Sequence, residues 1–119
     1  MSAKGQSWGD STLLGNMFFI SVEVAPKFPG GMKGYYLFLA ENLKMPDKSF
    51  SKKFNRTASL DIFIDTTGKV AYARIVDGIN ESYNNAIFEM IKRMPAWTPG
   101  LQNGHKVPTM MVVPLIFVN

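Results

Sequence analysis

The run ASLDIFI-DTTGK-VAYARIV, residues 58–76, decides how this chain folds. Leu60, Ile62 and Ile64 alternate with Ser59 and Asp61, a period of two that sets the apolar three on one face of a strand. Asp65 to Lys69 is turn chemistry, with Gly68 the natural holder of a positive φ. Residues 70–76 return as the second strand of a hairpin, but their apolar phase conflicts. Val70 and Val76 suit one face, while Ala73 and Ile75 suit the other. A bulge near Ala71, adding one residue to one strand only, reconciles the two sets.

Outward from the hairpin, two helical patterns flank it. Downstream, Tyr83, Ala86, Ile87, Met90, Ile91 and Met94 recur at helical spacing, with Asn80 or Ser82 as cap and Pro95 as stop. Upstream, Met32, Tyr35, Tyr36, Leu39 and Leu43 predict a helix over 32–44, with Phe38 widening its stripe. It opens after Phe28-Pro29-Gly30-Gly31 and cannot run far past Pro46. Phe18, Ile20, Val22 and Val24 alternate over 16–24 and predict an N-terminal strand. Trp97 to Gly100 and Asn103-Gly104 read as turns before a long apolar strand, Lys106 to Val118. The expected fold is α+β, a small antiparallel sheet packed by two helices over residues 16–119. Residues 1–15, polar and rich in Gly and Ser, read as a disordered leader.

Composition narrows the function classes. At 119 residues the chain has room for one core, and 46% apolar residues can fill it. No cysteine is present, so disulfides, thiolate metal sites and a Cys nucleophile are excluded. The net charge of +4 lacks the gathered stripe that nucleic-acid binding requires. Lys48, Lys52, Lys53 and Arg56, interleaved with Phe50 and Phe54, form the densest basic run and read as a solvated connector rather than a base-stacking surface. Leu13 to Val24 is interrupted by Gly15, Asn16, Ser21 and Glu23, and falls short of the roughly 20 residues of a membrane span. No signal-peptide pattern is seen. Any membrane link is expected to run through a tether outside this sequence.

The residues show no catalytic constellation. His105 follows the Asn103-Gly104 turn without a clustered carboxylate or second histidine. Asp65-Thr66-Thr67-Gly68 resembles a protease Asp-Thr-Gly triplet, but the second threonine displaces the glycine. Gly30-Gly31-Met32-Lys33-Gly34 matches neither phosphate-loop spacing. The expected protein is no enzyme and uses no cofactor or metal.

The last strand says more. Pro108 and Pro114 are six apart, so both withhold an N–H from the same lateral side. Proline inside a strand points to a sheet edge. Met110 and Val112 lie between them as the pairing-capable window. Such an edge either protects against aggregation or accepts an extended peptide as an added strand.

Three blocks carry a family resemblance. Val22 to Gly31, with Glu41 to Pro46 closing the helix, resembles the start of the TonB C-terminal domain in its Bacteroidetes-type form. Met94-Pro95-Ala96-Trp97-Thr98-Pro99-Gly100 with Gln102-Asn103-Gly104 is similar to that family's signature before its final strand, and Val113 to Phe117 follows suit. The resemblance implies a periplasmic, envelope-located domain for energy-coupled transport. It also implies docking of the box segment of an outer-membrane TonB-dependent transporter beside the last strand. Carried over by position, the partner-binding residues are Val107, Thr109, Met110, Met111, Val112, Val113, Leu115 and Ile116. Side chains of Met110, Val112 and Ile116 are expected to flank the guest. The alternative is a stand-alone or sensor-derived module that self-associates as a homodimer through the same edge.

Overall fold

The computed structural model describes residues 7–10, 18–43, 57–76 and 81–116. In chain order these form β1 (Ser7–Gly9), α1 (Gly31–Asn42), β2 (Thr57–Ile64), β3 (Val70–Val76), α2 (Glu81–Lys92), β4 (Gly100–Gln102), β5 (His105–Val107) and β6 (Thr109–Ile116). The main sheet runs β1-β3-β2-β6 with every neighbour antiparallel, and β4-β5 make a second, two-stranded sheet. The fold is α+β.

The hairpin behaves as its sequence requires. Pairing runs from Ser59↔Val76 to Phe63↔Tyr72 and then jumps to Ile64↔Val70, leaving Ala71 as the extra residue. That bulge brings Val70, Ala73 and Ile75 into one core despite their opposite parity, together with Leu60, Ile62 and Ile64. Its free carbonyl accepts the Asp10 N–H at 3.2 Å.

In the turn, the Asp65 carboxylate accepts from the Thr67 hydroxyl, the Thr67 N–H and the Lys69 N–H. Burial pushes the Asp65 pKa up, but these hydrogen bonds and the Lys69 charge outweigh it, so the net shift is downward from 3.8. A depressed folded pKa means stability that is present above about pH 4 and is lost as pH falls through the lower folded value. Urea melts across pH 2–6 should therefore show a slope contributed by this turn. Asp65→Asn should flatten that slope, and an identical slope in the variant would refute the assignment.

Both helices cover the same sheet face. Ile87, Met90 and Ile91 of α2 and Tyr35 and Leu39 of α1 meet the β2 and β6 residues Leu60, Ile62, Val113 and Leu115. The α1 stripe is narrower than its sequence suggests, because Met32 and Tyr36 face solvent with Leu37. Only the line Tyr35–Leu39, with Phe38 and Leu43 partly covered, reaches the sheet. At the start of α1, a Cβ on Gly34 would run into the Pro29 carbonyl, so the Pro29-Gly30 turn closes directly over the helix. Phe28 then drops into an aromatic cluster with Tyr35, Phe38 and Trp97, at centroid distances of 5.2–5.6 Å.

Three sequence expectations need correction. The first 15 residues do not all form a disordered leader, since Ser7–Gly9 pair with β3 as an edge strand and Trp8 packs against the core. Residues 1–6 and 11–15 lie outside the described residues, as does the basic run from Lys48 to Arg56. The alternation at 16–24 predicts a strand, yet the described part, 18–24, is a strap. It touches β6 at Phe19 and then leaves for β4. Alternation there does not mean burial: Ile20 is 73% exposed and Val24 is exposed too. Finally, the long strand breaks at Pro108, with β5 paired to β4 and β6 paired to β2. The Asn103-Gly104 turn, with φ of 53° and 78°, closes the β4-β5 hairpin.

Candidate docking edge

Among the described residues, β6 has a strand neighbour on one side only. It pairs with β2 from Thr57↔Ile116 to Ile64↔Thr109, and no strand of the described residues lies beyond it. In such a ladder, successive residues send their N–H and C=O to opposite lateral sides. Met110 N–H donates to the Phe19 carbonyl at 2.9 Å, away from β2. The even-numbered residues are thus the ones whose main chain faces outward, as the spacing of the prolines requires.

Both ends of this outward side are occupied. The Pro108 carbonyl accepts the Phe19 N–H at 2.9 Å. The Pro114 carbonyl accepts the Tyr35 hydroxyl at 3.0 Å. Burial, aided by neighbouring Tyr36, pushes the Tyr35 pKa well above its usual 10.0, so the hydroxyl keeps the proton that this bond needs. Between these stops remain the Met110 C=O and the N–H and C=O of Val112. Among the described residues none of the three has a partner on that side. Val112 supplies the one donor, because Pro114 has none.

Side chains sort by the same parity. Thr109, Val113 and Leu115 are buried and Met111 is partly buried against the core, so their side chains offer little surface to a strand laid outside β6. Thr109 also donates its hydroxyl to the Val107 carbonyl at 3.1 Å, stapling the break at Pro108. Val107 itself belongs to β5, in the other sheet. Of the expected binding residues, therefore, Met110 and Val112 face outward through the main chain. The odd-numbered ones from Thr109 to Leu115 support β6 from behind. Ile116 pairs with Thr57, and its side chain lies outside the described residues.

On the sheet's outer face, Val112 is 58% exposed and sits opposite Asp61, which is ion-paired with Arg74 at 3.0 Å. Met110 sits opposite Phe63, whose ring takes Phe18 edge-on at 5.0 Å and Tyr72 at 5.3 Å. Sequence reading alone missed Phe19 and the Tyr35 hydroxyl as the two stops. The alternating run around Phe19 did signal an extended segment, but not its partner.

Comparison of the chain with protein-family models, with curated proteins and with solved structures returned no match. A concavity of about 470 Å³, lined by Trp8, Lys69, Val70, Ile91 and Met94 among others, opens near β1 at the opposite side of the sheet and takes no part in it. Among the described residues, no group of three His, Cys, Asp or Glu could hold a metal ion.

Proposed function

We propose that this protein is a binding domain, not an enzyme, that accepts an extended segment of another protein as an added strand beside β6. The observation that carries it is the open run of Met110 C=O, Val112 N–H and Val112 C=O on the outer side of a sheet-edge strand. Main-chain bonds to such a run supply affinity for any extended guest, and flanking side chains choose among guests. The resemblance of the Phe28-Pro29-Gly30-Gly31 and Met94 to Gly100 blocks to TonB C-terminal domains supports the same strand. It names the guest as the box segment of an outer-membrane transporter, met in the periplasm in energy-coupled transport. No cofactor enters this reading.

Self-pairing of two β6 edges is the weaker reading. A two-fold antiparallel pair centred on Val112 would set Met110 of one copy against Pro114 of the other. Met110 N–H is already used by Phe19 and Pro114 has none, so only the two bonds at Val112 would form.

The test is a box peptide titrated into isotope-labelled chain, with Val112→Pro as the control. Val112 N–H points away from β2, so proline there costs no ladder bond and suits an edge. The parent should show amide shifts concentrated on 110–114. The variant should keep its fold and bind at least about tenfold more weakly, from the lost bond and the ring in the guest's place. Shifts scattered away from β6, or equal affinity in the variant, would sink the proposal.

A further inference from the structure

Among the described residues, the strap meets the β6 edge through Phe19 alone. Phe19 donates to Pro108 and accepts from Met110, running parallel to β6 opposite Thr109. Continued in that register, Ser21 would meet the Met110 C=O and Val112 N–H. The chain instead bends at Ile20 and Ser21 and crosses to the second sheet.

There it is tied firmly. Val24 exchanges two main-chain bonds with Leu101, and Lys27 two with Thr98. The Glu23 N–H donates to the Gln102 side chain, while the Glu23 carboxylate accepts the Asn103 N–H at 2.8 Å. Among the described residues, the β6 end of the strap is held by two main-chain bonds and the Phe18–Phe63 ring contact. One half can lift while the other stays anchored.

The spacing makes that asymmetry matter. A strand of the usual five or six residues needs about 17–20 Å of edge. From Met110 to Pro114 there are about 14 Å, at about 3.4 Å per residue. A guest of ordinary length therefore needs the stretch opposite Thr109 that Phe19 occupies.

We infer that Phe18–Ser21 is a resident occupant of the docking edge, and that an incoming extended segment of five or more residues displaces it. With the strap lifted, the edge presents five groups in place of three: the C=O of Pro108 and both groups of Met110 and of Val112. The partner is thus a segment able to bond at three alternate positions, and a shorter one gains little. With no partner present, the strap covers part of an edge that would otherwise be open to stray pairing. This inference rests on the docking reading above, which names the same edge.

Two variants loosen the strap without touching β6. Phe19→Pro deletes the N–H bonded to Pro108, and Phe18→Ala removes the ring contact. In both, the Met110 amide, protected in the parent, should exchange faster in the free chain. Both should bind the box peptide about tenfold more tightly, the free energy of roughly one hydrogen bond no longer spent on lifting the strap. In the parent complex the Phe19 amide should lose protection while the Val112 amide gains it. Unchanged affinity in both variants, or a Phe19 amide still protected at saturation, overturns the strap proposal and leaves the docking edge standing. Absence of peptide binding by the parent and by both variants overturns the two together.

Discussion

Gly68→Ala should cost at least about 3 kcal/mol, a large share of the roughly 5–15 kcal/mol that holds such a domain together. Gly68 has φ of 93°, a conformation that costs an L-residue about 1–2 kcal/mol by itself. The second term is steric. A Cβ at this position would overlap the Trp97 carbonyl, and that carbonyl has no freedom to withdraw. Trp97 N–H donates to the Gly68 carbonyl at 2.8 Å, and the Trp97 ring is buried against Phe28 at 5.2 Å. The added methyl must either undo the hairpin turn or lift Trp97 out of the core. Urea unfolding followed by tryptophan fluorescence measures the loss, and a change under 1 kcal/mol would show that the turn and Trp97 are not locked together.

Tyr35→Ala should cost about 4 kcal/mol, within the range for emptying a large aromatic site in a core. Tyr35 is fully buried and joins α1 to the aromatic cluster through Phe28 at 5.6 Å and Trp97 at 6.1 Å. Tyr35→Phe separates packing from the hydroxyl. It should cost only about 1 kcal/mol, the bond to Pro114, and it frees that carbonyl at the end of the open β6 run. The raised pKa fixes the sign of a pH effect. The tyrosine's contribution is complete below about pH 10 and fades as pH climbs toward the higher folded value. Alkaline melts should thus destabilise the parent more than Tyr35→Phe. Equal alkaline sensitivity would place the titrating group elsewhere.

Much of this molecule was legible because its hairpin carries complete local instructions. The β2 alternation, the Asp65–Gly68 turn chemistry and the parity clash at Ala71 each depend on neighbours within a few residues, and the observed register follows all three. The α2 stripe was equally plain, since its apolar residues share one face and that face is the buried one. Periodicity makes the α1 stripe too wide, because it lists the apolar positions but not how much of the helix meets a sheet. At 16–24, alternation gave the extended shape but no partner. Period two describes any extended segment, and only a neighbouring strand turns one into a sheet.

For the proposed docking edge the same division holds. Two prolines six residues apart determined, from sequence alone, which lateral side of the last strand lacks donors, because parity in an extended chain is a local property. Only the tertiary structure decided that β6 is the last strand of the sheet among the described residues, that β5 belongs to a different sheet, and that Phe19 and Tyr35 close the window at its two ends. Those facts join residues about 80–90 positions apart in the chain, Phe19 with Met110 and Tyr35 with Pro114, and no local pattern encodes a contact closed over that distance.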